Sequence, residues 1–290
     1  MPTPSRYRRR VGVLLMPGRT AGSATSITQD NVDWFADRGV EVIPIPHDTS
    51  AIDYYVNHVD GLYFQGGGTS DAAYYATCAK LMAAAIATNN AGRYFPVWGT
   101  CHGFLALMIT VGRLSLPLPE VDAHNSYMAE IAWNQAAPRS RLYRALAPEF
   151  RRHVTTPRAV FFNNEHGISP AAFAANRRLA TFFKPLATAT DRRGRRFIAV
   201  IEARRYPFFG VQFHPERSPT MSPFCEFFVD QLMRTRGRRP PIDARHRLLG
   251  TRRRRAPYAT KRFNELYTRK ACRGHWSRLF PPAGCYYFKE

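Results

Sequence analysis

The sequence predicts an α/β fold: a mainly parallel, doubly wound sheet flanked by helices on both faces. Three observations predict it. Short apolar runs alternate with helical stretches through the first hundred residues, two of those runs break into glycine turns ahead of a helix, and parallel neighbours joined by helices require right-handed crossovers.

Each element follows in order. "VGVLLM" (Val11 to Met16) is a buried strand, "SITQDNVDWFADRG" (Ser26 to Gly39) an amphipathic helix stopped by glycine, and "VEVIPI" (Val40 to Ile45) a second strand. "DGLYFQGGG" (Asp60 to Gly68) is a strand running into a glycine turn, followed by a long helix over Asp71 to Asn90. "YFPVWG" (Tyr94 to Gly99) is a further strand, and a helix follows Gly103. "RFIAVIEA" (Arg196 to Ala203) and "FFGVQF" (Phe208 to Phe213) form a strand pair with "RRYP" between them. After Pro240 the pattern weakens, with no internal repeat and no second core, so residues 1–290 read as one domain. Sheets of this kind carry their sites beyond the carboxyl ends of the strands.

Composition removes several function classes. The chain has 290 residues, 45% apolar and 13% aromatic, enough to bury a sizeable core. No run reaches the 18 or so apolar residues of a membrane span, so no membrane partner is expected. "MPTPSRYRRR" passes straight into an apolar run too short for a signal-peptide core, and the expected location is cytoplasmic. Five widely spaced cysteines (Cys78, Cys101, Cys225, Cys272, Cys285), without a paired CxxC, argue against a disulfide scaffold and against zinc. The formal charge of +21 comes from 37 arginines and five lysines. Ten arginines crowd Arg234 to Arg255 against one acid, Asp243, and this run is expected to be a mobile excursion outside the core. Arg195, Arg196, Arg204 and Arg205 flank the strand pair that leads to His214. Such charge suits a polyanion; nucleic acid is the less favoured partner and a homodimer is left open.

Three stretches carry chemistry. "GTCHG" (Gly99 to Gly103) has the spacing of a nucleophile elbow, in which small residues let a strand turn abruptly into a helix with Cys101 at the strained apex. The helix start offers free N–H groups and a dipole that favour an anion there. A buried, inert cysteine is the alternative. "FQGGGTS" (Phe64 to Ser70) supplies glycines after a strand, so the N–H groups of Gly67 and His102 are candidates for an oxyanion hole; a plain flexible turn is the alternative. In "YPFFGVQFHPER" (Tyr206 to Arg217), His214 follows a strand, is fixed by Pro215, and is trailed by Glu216: a general base with an orienting carboxylate.

Together and in this order these residues resemble the class I glutamine amidotransferase-like hydrolases, most closely the γ-glutamyl hydrolases. "YFPVWGTCHGF", "YPFFGVQFHPER" and the terminal "CYYF" look like that family's signatures, with "EFFVDQ" in the place of one of its helices. The resemblance implies a flavodoxin-like sheet, Cys101 as nucleophile, His214 as base and Glu216 as third member. His166, in "NNEHGIS", and Gln212 become substrate-binding candidates. The implied reaction is thioester-mediated cleavage of γ-glutamyl amides, with folate or antifolate poly-γ-glutamates as substrate, and with no metal or organic cofactor. By resemblance the location would be lysosomal, vacuolar or secreted. The chain departs from the pattern at Leu105, where the family usually has Glu and glutaminase subunits Gln, at His102, usually apolar, and at Gln65, where proline is common. Two rival readings stay open: a glutaminase-type amidotransferase subunit, and a catalytically inactive, basic polyanion-binding protein on the same fold.

Overall fold

The computed structural model describes residues 7–17 and 26–246. The chain begins with β1 (Arg10–Leu14), α1 (Gln29–Ala36), β2 (Glu41–Ile45), α2 (Ile52–His58), β3 (Gly61–Phe64), α3 (Ala72–Asn90), β4 (Val97–Thr100) and α4 (His102–Gly112). A less regular middle follows: β5 (Glu120–Ala129), β6 (Ala132–Trp133), α5 (Arg141–Ala145), α6 (Pro148–His153), β7 (Val160–His166), α7 (Pro170–Ala175) and α8 (Arg177–Phe182). β8 (Phe183–Thr190), β9 (Arg196–Ala203), β10 (Phe208–Val211) and α9 (Ser222–Met233) complete it.

The main sheet has the order β2-β1-β3-β4-β10-β9-β8-β6. From β2 to β10 every pairing is parallel, and from β10 outward every pairing is antiparallel. The predicted doubly wound sheet is therefore present, extended by an antiparallel wing. β5 and β7 form a separate antiparallel ribbon.

Side-chain alternation explains why both faces are covered. On β3, Tyr63 joins one apolar cluster with Trp34 and Phe35 of α1 and Phe224 and Phe228 of α9. Its neighbours Leu62 and Phe64 join the other, with Leu81 and Met82 of α3 and Phe104 and Leu107 of α4. A strand buried on both sides has no solvent-facing position to fill with polar residues, hence its continuous apolar run. α3 is rich in alanine, the best helix former, and Asp71 caps it by accepting from the Tyr74 N–H at 2.9 Å.

The arginine-rich stretch differs from expectation. Up to His246 it is strapped to the body rather than projecting from it. Asp60, fully buried ahead of β3, is the reason, because a buried carboxylate needs partners. It accepts from the Tyr7 hydroxyl at 3.0 Å, Arg9 at 3.1 Å, the Arg10 N–H at 2.9 Å and Arg239 at 3.2 Å. Thr235 donates to the Asp60 carbonyl, Arg10 to that of Pro240, and Ile242 is buried. Arg247 to Arg255, Cys272, Cys285 and the "CYYF" signature lie outside the described residues.

Candidate functional site

Three adjacent strands, β3, β4 and β10, deliver Gly66, Cys101 and His214 to one edge of the sheet. Between β4 and α4 the chain reverses within one residue: Cys101 sits at φ 49° and ψ −105°, a conformation an L residue holds at a cost of about 1–3 kcal/mol. Its N–H donates to the Val211 carbonyl at 2.9 Å, and the Gly103 N–H to that of Gln65 at 3.1 Å. The elbow is thereby tied to both flanking strands. Only glycine fits at position 103, since a Cβ there would run into the Phe64 carbonyl. Gly66 is constrained by a side chain instead, for its Cβ would lie 2.6 Å from Cε1 of His214, with the Cys101 Cβ in contact at 3.5 Å.

His214 is buried, and its N–H donates to the Phe161 carbonyl of β7 at 3.0 Å. Its Nδ1 lies 2.6 Å from Oε1 of Glu216, which leaves Nε2 as the nitrogen for other work. Burial opposes the imidazolium, but the charges of Cys101 and Glu216, with a hydrogen bond to Cys101, outweigh it and push the His214 pKa up to about 9. Glu216 shows the converse balance. Burial resists its charge, yet His214 and Arg217 hold its carboxyl below the usual range. Asp30 of α1 feels the same cluster: burial, then the Glu216 charge, raises its pKa.

The remaining candidates fall around this group. His102 follows Cys101 on α4 and is almost wholly buried. Burial, aided by the charge of His166, pushes its pKa down to about 4, so the ring is neutral near pH 7. Its Nε2 lies 3.2 Å from the Tyr75 hydroxyl, which itself donates to the Thr69 carbonyl in the glycine turn. As a first-turn residue, His102 has no intrahelical acceptor for its N–H. Gly67 faces Met16, where a Cβ would meet the sulfur at 2.7 Å, so Gly66 is the glycine packed on the cysteine and histidine; the Gly67 N–H belongs to the next peptide.

His166 ends β7 with Nδ1 2.9 Å from the Leu118 carbonyl. It borders a cavity of about 270 Å3 whose arginines are paired, Arg193 with Asp122 at 3.5 Å and Arg195 with Asp191 at 2.8 Å. Gln212 is fully buried and neither amide atom has a hydrogen-bond partner among the described residues. Leu105 packs into the apolar cluster around α3 and α4.

Sequence reasoning missed the polar support beneath the glycine turn. Gln65 donates to the carbonyls of Leu14 and Ser26 and accepts from Asn31, which in turn accepts from the Tyr63 hydroxyl at 2.6 Å. This network holds the turn where a proline would otherwise stiffen it. The signal was a lone Asn on the apolar face of α1. Asn163, whose carbonyl lies 3.9 Å from the Cys101 sulfur, was also missed, since nothing in "FFNNEH" tells which peptide will face the thiol.

A thiol on a strained turn, a histidine braced by a carboxylate, and N–H groups at a helix start are the parts needed for nucleophilic acyl transfer. Fold and site together define an α/β protein with a cysteine on a strained strand-to-helix turn at the carboxyl edge of its sheet. Within that class, the chain belongs to the glutamine amidotransferase class-I family, whose profile matches residues 23–230. It is 29% identical to Gamma-glutamyl hydrolase 1 of Arabidopsis thaliana over 221 residues, 73% of this chain and 64% of that protein. It is 30% identical to Gamma-glutamyl hydrolase of Homo sapiens over 202 residues, 67% of this chain and 61% of that one. The chain thus spans less than two thirds of the length of these relatives. A solved structure from Thermoplasma acidophilum, that of a putative GMP synthase component, matches 78% of this chain and 95% of its own at TM-score 0.48 and 14% identity, too distant to bear on the site.

Proposed function

We propose that this chain is a cysteine hydrolase that cleaves γ-glutamyl amide bonds, with poly-γ-glutamyl folates or antifolates as substrates. The observation that carries the reading is the 2.6 Å bond that His214 Nδ1 donates to Glu216, with Cys101 acting on the same imidazole. Similarity to proteins named gamma-glutamyl hydrolase supports the choice of bond.

In this mechanism the Cys101 thiolate attacks the γ-amide carbonyl, and the N–H groups of His102 and Gly67 receive the oxyanion. The C–N bond breaks as His214, the imidazolium, passes its proton to the departing amine. Water then attacks the thioester, its proton returning to His214, and the C–S bond breaks to release the acid. Glu216 keeps Nδ1 protonated and the ring aimed at the sulfur. Neutral His102 adds no competing charge beside the nucleophile. The test is incubation with pteroyl poly-γ-glutamate and mass analysis of the products. Stepwise or single loss of glutamyl units is expected; release of ammonia from free glutamine, without cleavage of the γ-glutamyl chain, would overturn the reading.

A further inference from the structure

The sheet's two ends differ in how their arginines are used. Arg204 and Arg205 sit in the β9–β10 turn, where β10 begins, whereas Cys101 and His214 lie beyond where β4 and β10 end. At that opposite end a cavity of about 870 Å3 opens against the last turn of α4. Arg177, Arg178, Arg204 and Arg205 line it, and no Asp or Glu does. All four are exposed, and none is ion-paired among the described residues. Half-buried Phe182 and Tyr206 give it an aromatic wall, their rings 5.7 Å apart. Arg205 lies over the Tyr206 ring at 5.6 Å, and Arg204 donates to the Ala180 carbonyl at 3.0 Å, so two of the four guanidinium groups are anchored to the walls.

Elsewhere the fold shows what paired arginine looks like. Around Asp60, Asp122, Asp191 and Glu202 each buried or half-buried carboxylate collects arginines. Four unpaired guanidinium groups around one hollow are a different arrangement. Guanidinium forks match phosphate oxygens two at a time, and the volume falls in the range of small-molecule sites. The described neighbourhood supplies no acid to fill the hollow, and the sequence after His246 is itself strongly basic. We propose that this groove binds a small phosphorylated anion of nucleoside-triphosphate size, its phosphates on Arg177, Arg178, Arg204 and Arg205 and its apolar part against Phe182 and Tyr206. The inference is independent of the proposed hydrolase activity, since no residue of the groove belongs to the cysteine site.

The experiment is calorimetric titration of the full chain with ATP and with inorganic tripolyphosphate at about 0.15 M salt, where long-range attraction is screened beyond about 8 Å. One saturable site is expected for both. The double variant Arg204→Glu/Arg205→Glu should weaken it roughly tenfold or more, as loss of two charge-assisted contacts implies. Arg144→Glu/Arg152→Glu, the same charge change on another surface, should weaken it less than about twofold, and Cys101→Ser should leave it unchanged. Absence of saturable binding, or equal loss in both charge-swapped variants, would overturn the site. Binding of tetra-γ-glutamate as tight as that of tripolyphosphate would overturn the choice of phosphate, and binding of oligonucleotides alone would overturn the choice of a small ligand.

Discussion

The elbow after β4 and the interior of α3 each hold a buried cysteine, and the contrast between them separates burial from reactivity. Cys78 lies on the buried side of α3, with no exposed surface, and accepts a hydrogen bond from the Thr110 hydroxyl of α4 at 3.6 Å. Burial outweighs the lowering effect of the Thr110 hydrogen bond and pushes its pKa up to about 12. Cys101 is almost as buried, at 3% exposure, yet it stands on a left-handed residue, at a helix start, beside a histidine backed by a carboxylate. Cys225 of α9 resembles Cys78: buried, its thiol donating to the Trp34 carbonyl, its pKa raised by burial. Backbone geometry and a charged partner, rather than solvent access, distinguish the thiol suited to chemistry.

The sharpest way to break this contrast is to exchange the two cysteines' fates. Cys101→Ala should lower kcat for γ-glutamyl cleavage by roughly 10³-fold or more while far-UV circular dichroism stays native. Cys78→Ala should leave kcat within about twofold and lower stability by about 1 kcal/mol, read by urea titration, because it only opens a small gap and strips Thr110 of its acceptor. Comparable kinetic losses in both variants would erase the distinction.

A smaller effect is expected from the partners. His214→Ala should cost roughly 10²-fold or more in kcat, and Glu216→Gln less, since the amide keeps the shape but withdraws the charge that favours imidazolium. Steady-state rates decide it, and equal losses would mean that Glu216 does more than orient.

The most delicate comparison is by titration. In Cys101→Ala the His214 pKa, followed by NMR of the ring protons, should fall below the value of about 9, because an opposing charge has been removed while burial remains. The sign carries through to stability. A histidine raised from 6.5 to about 9 on folding contributes stability in full below pH 6.5, and that contribution is lost as pH rises through about 9. Urea midpoints of the native chain should therefore decline across this window, and decline less in Cys101→Ala. An unchanged histidine titration would mean that the thiol and imidazole do not interact.

What the sequence determined by itself was local. Most of Val11 to Gly99 reads as strands and helices because its strands are short, largely apolar runs and two of its helices are marked by Gly39 or by Asp71 and an alanine-rich run; α2 carries no such mark and was missed. "RFIAVIEA" matches β9 end to end. Cys101, His214 and Glu216 could be picked out as candidates because an elbow and a His-Pro-Glu triplet are short-range patterns, fixed by the backbone of five or three residues. Tertiary structure decided what depends on residues far apart. The β5–β7 ribbon, through Phe161 and Asn163, comes to lie against His214 and Cys101, although about 50 to 60 positions of chain separate the groups, and no periodicity encodes that approach. Gly66 rather than Gly67 packs on the histidine because the turn after β3 is set by the Gln65 network, whose partners lie on β1, α1 and β3. The arginines divided likewise. Asp60 drew Arg239 inward and Asp191 claimed Arg195, while Arg204 and Arg205, at the far end of the sheet, have no ion pair among the described residues. Charge in a sequence is a sum, but pairing depends on which carboxylate the fold buries nearby, and only the folded chain sets that distance.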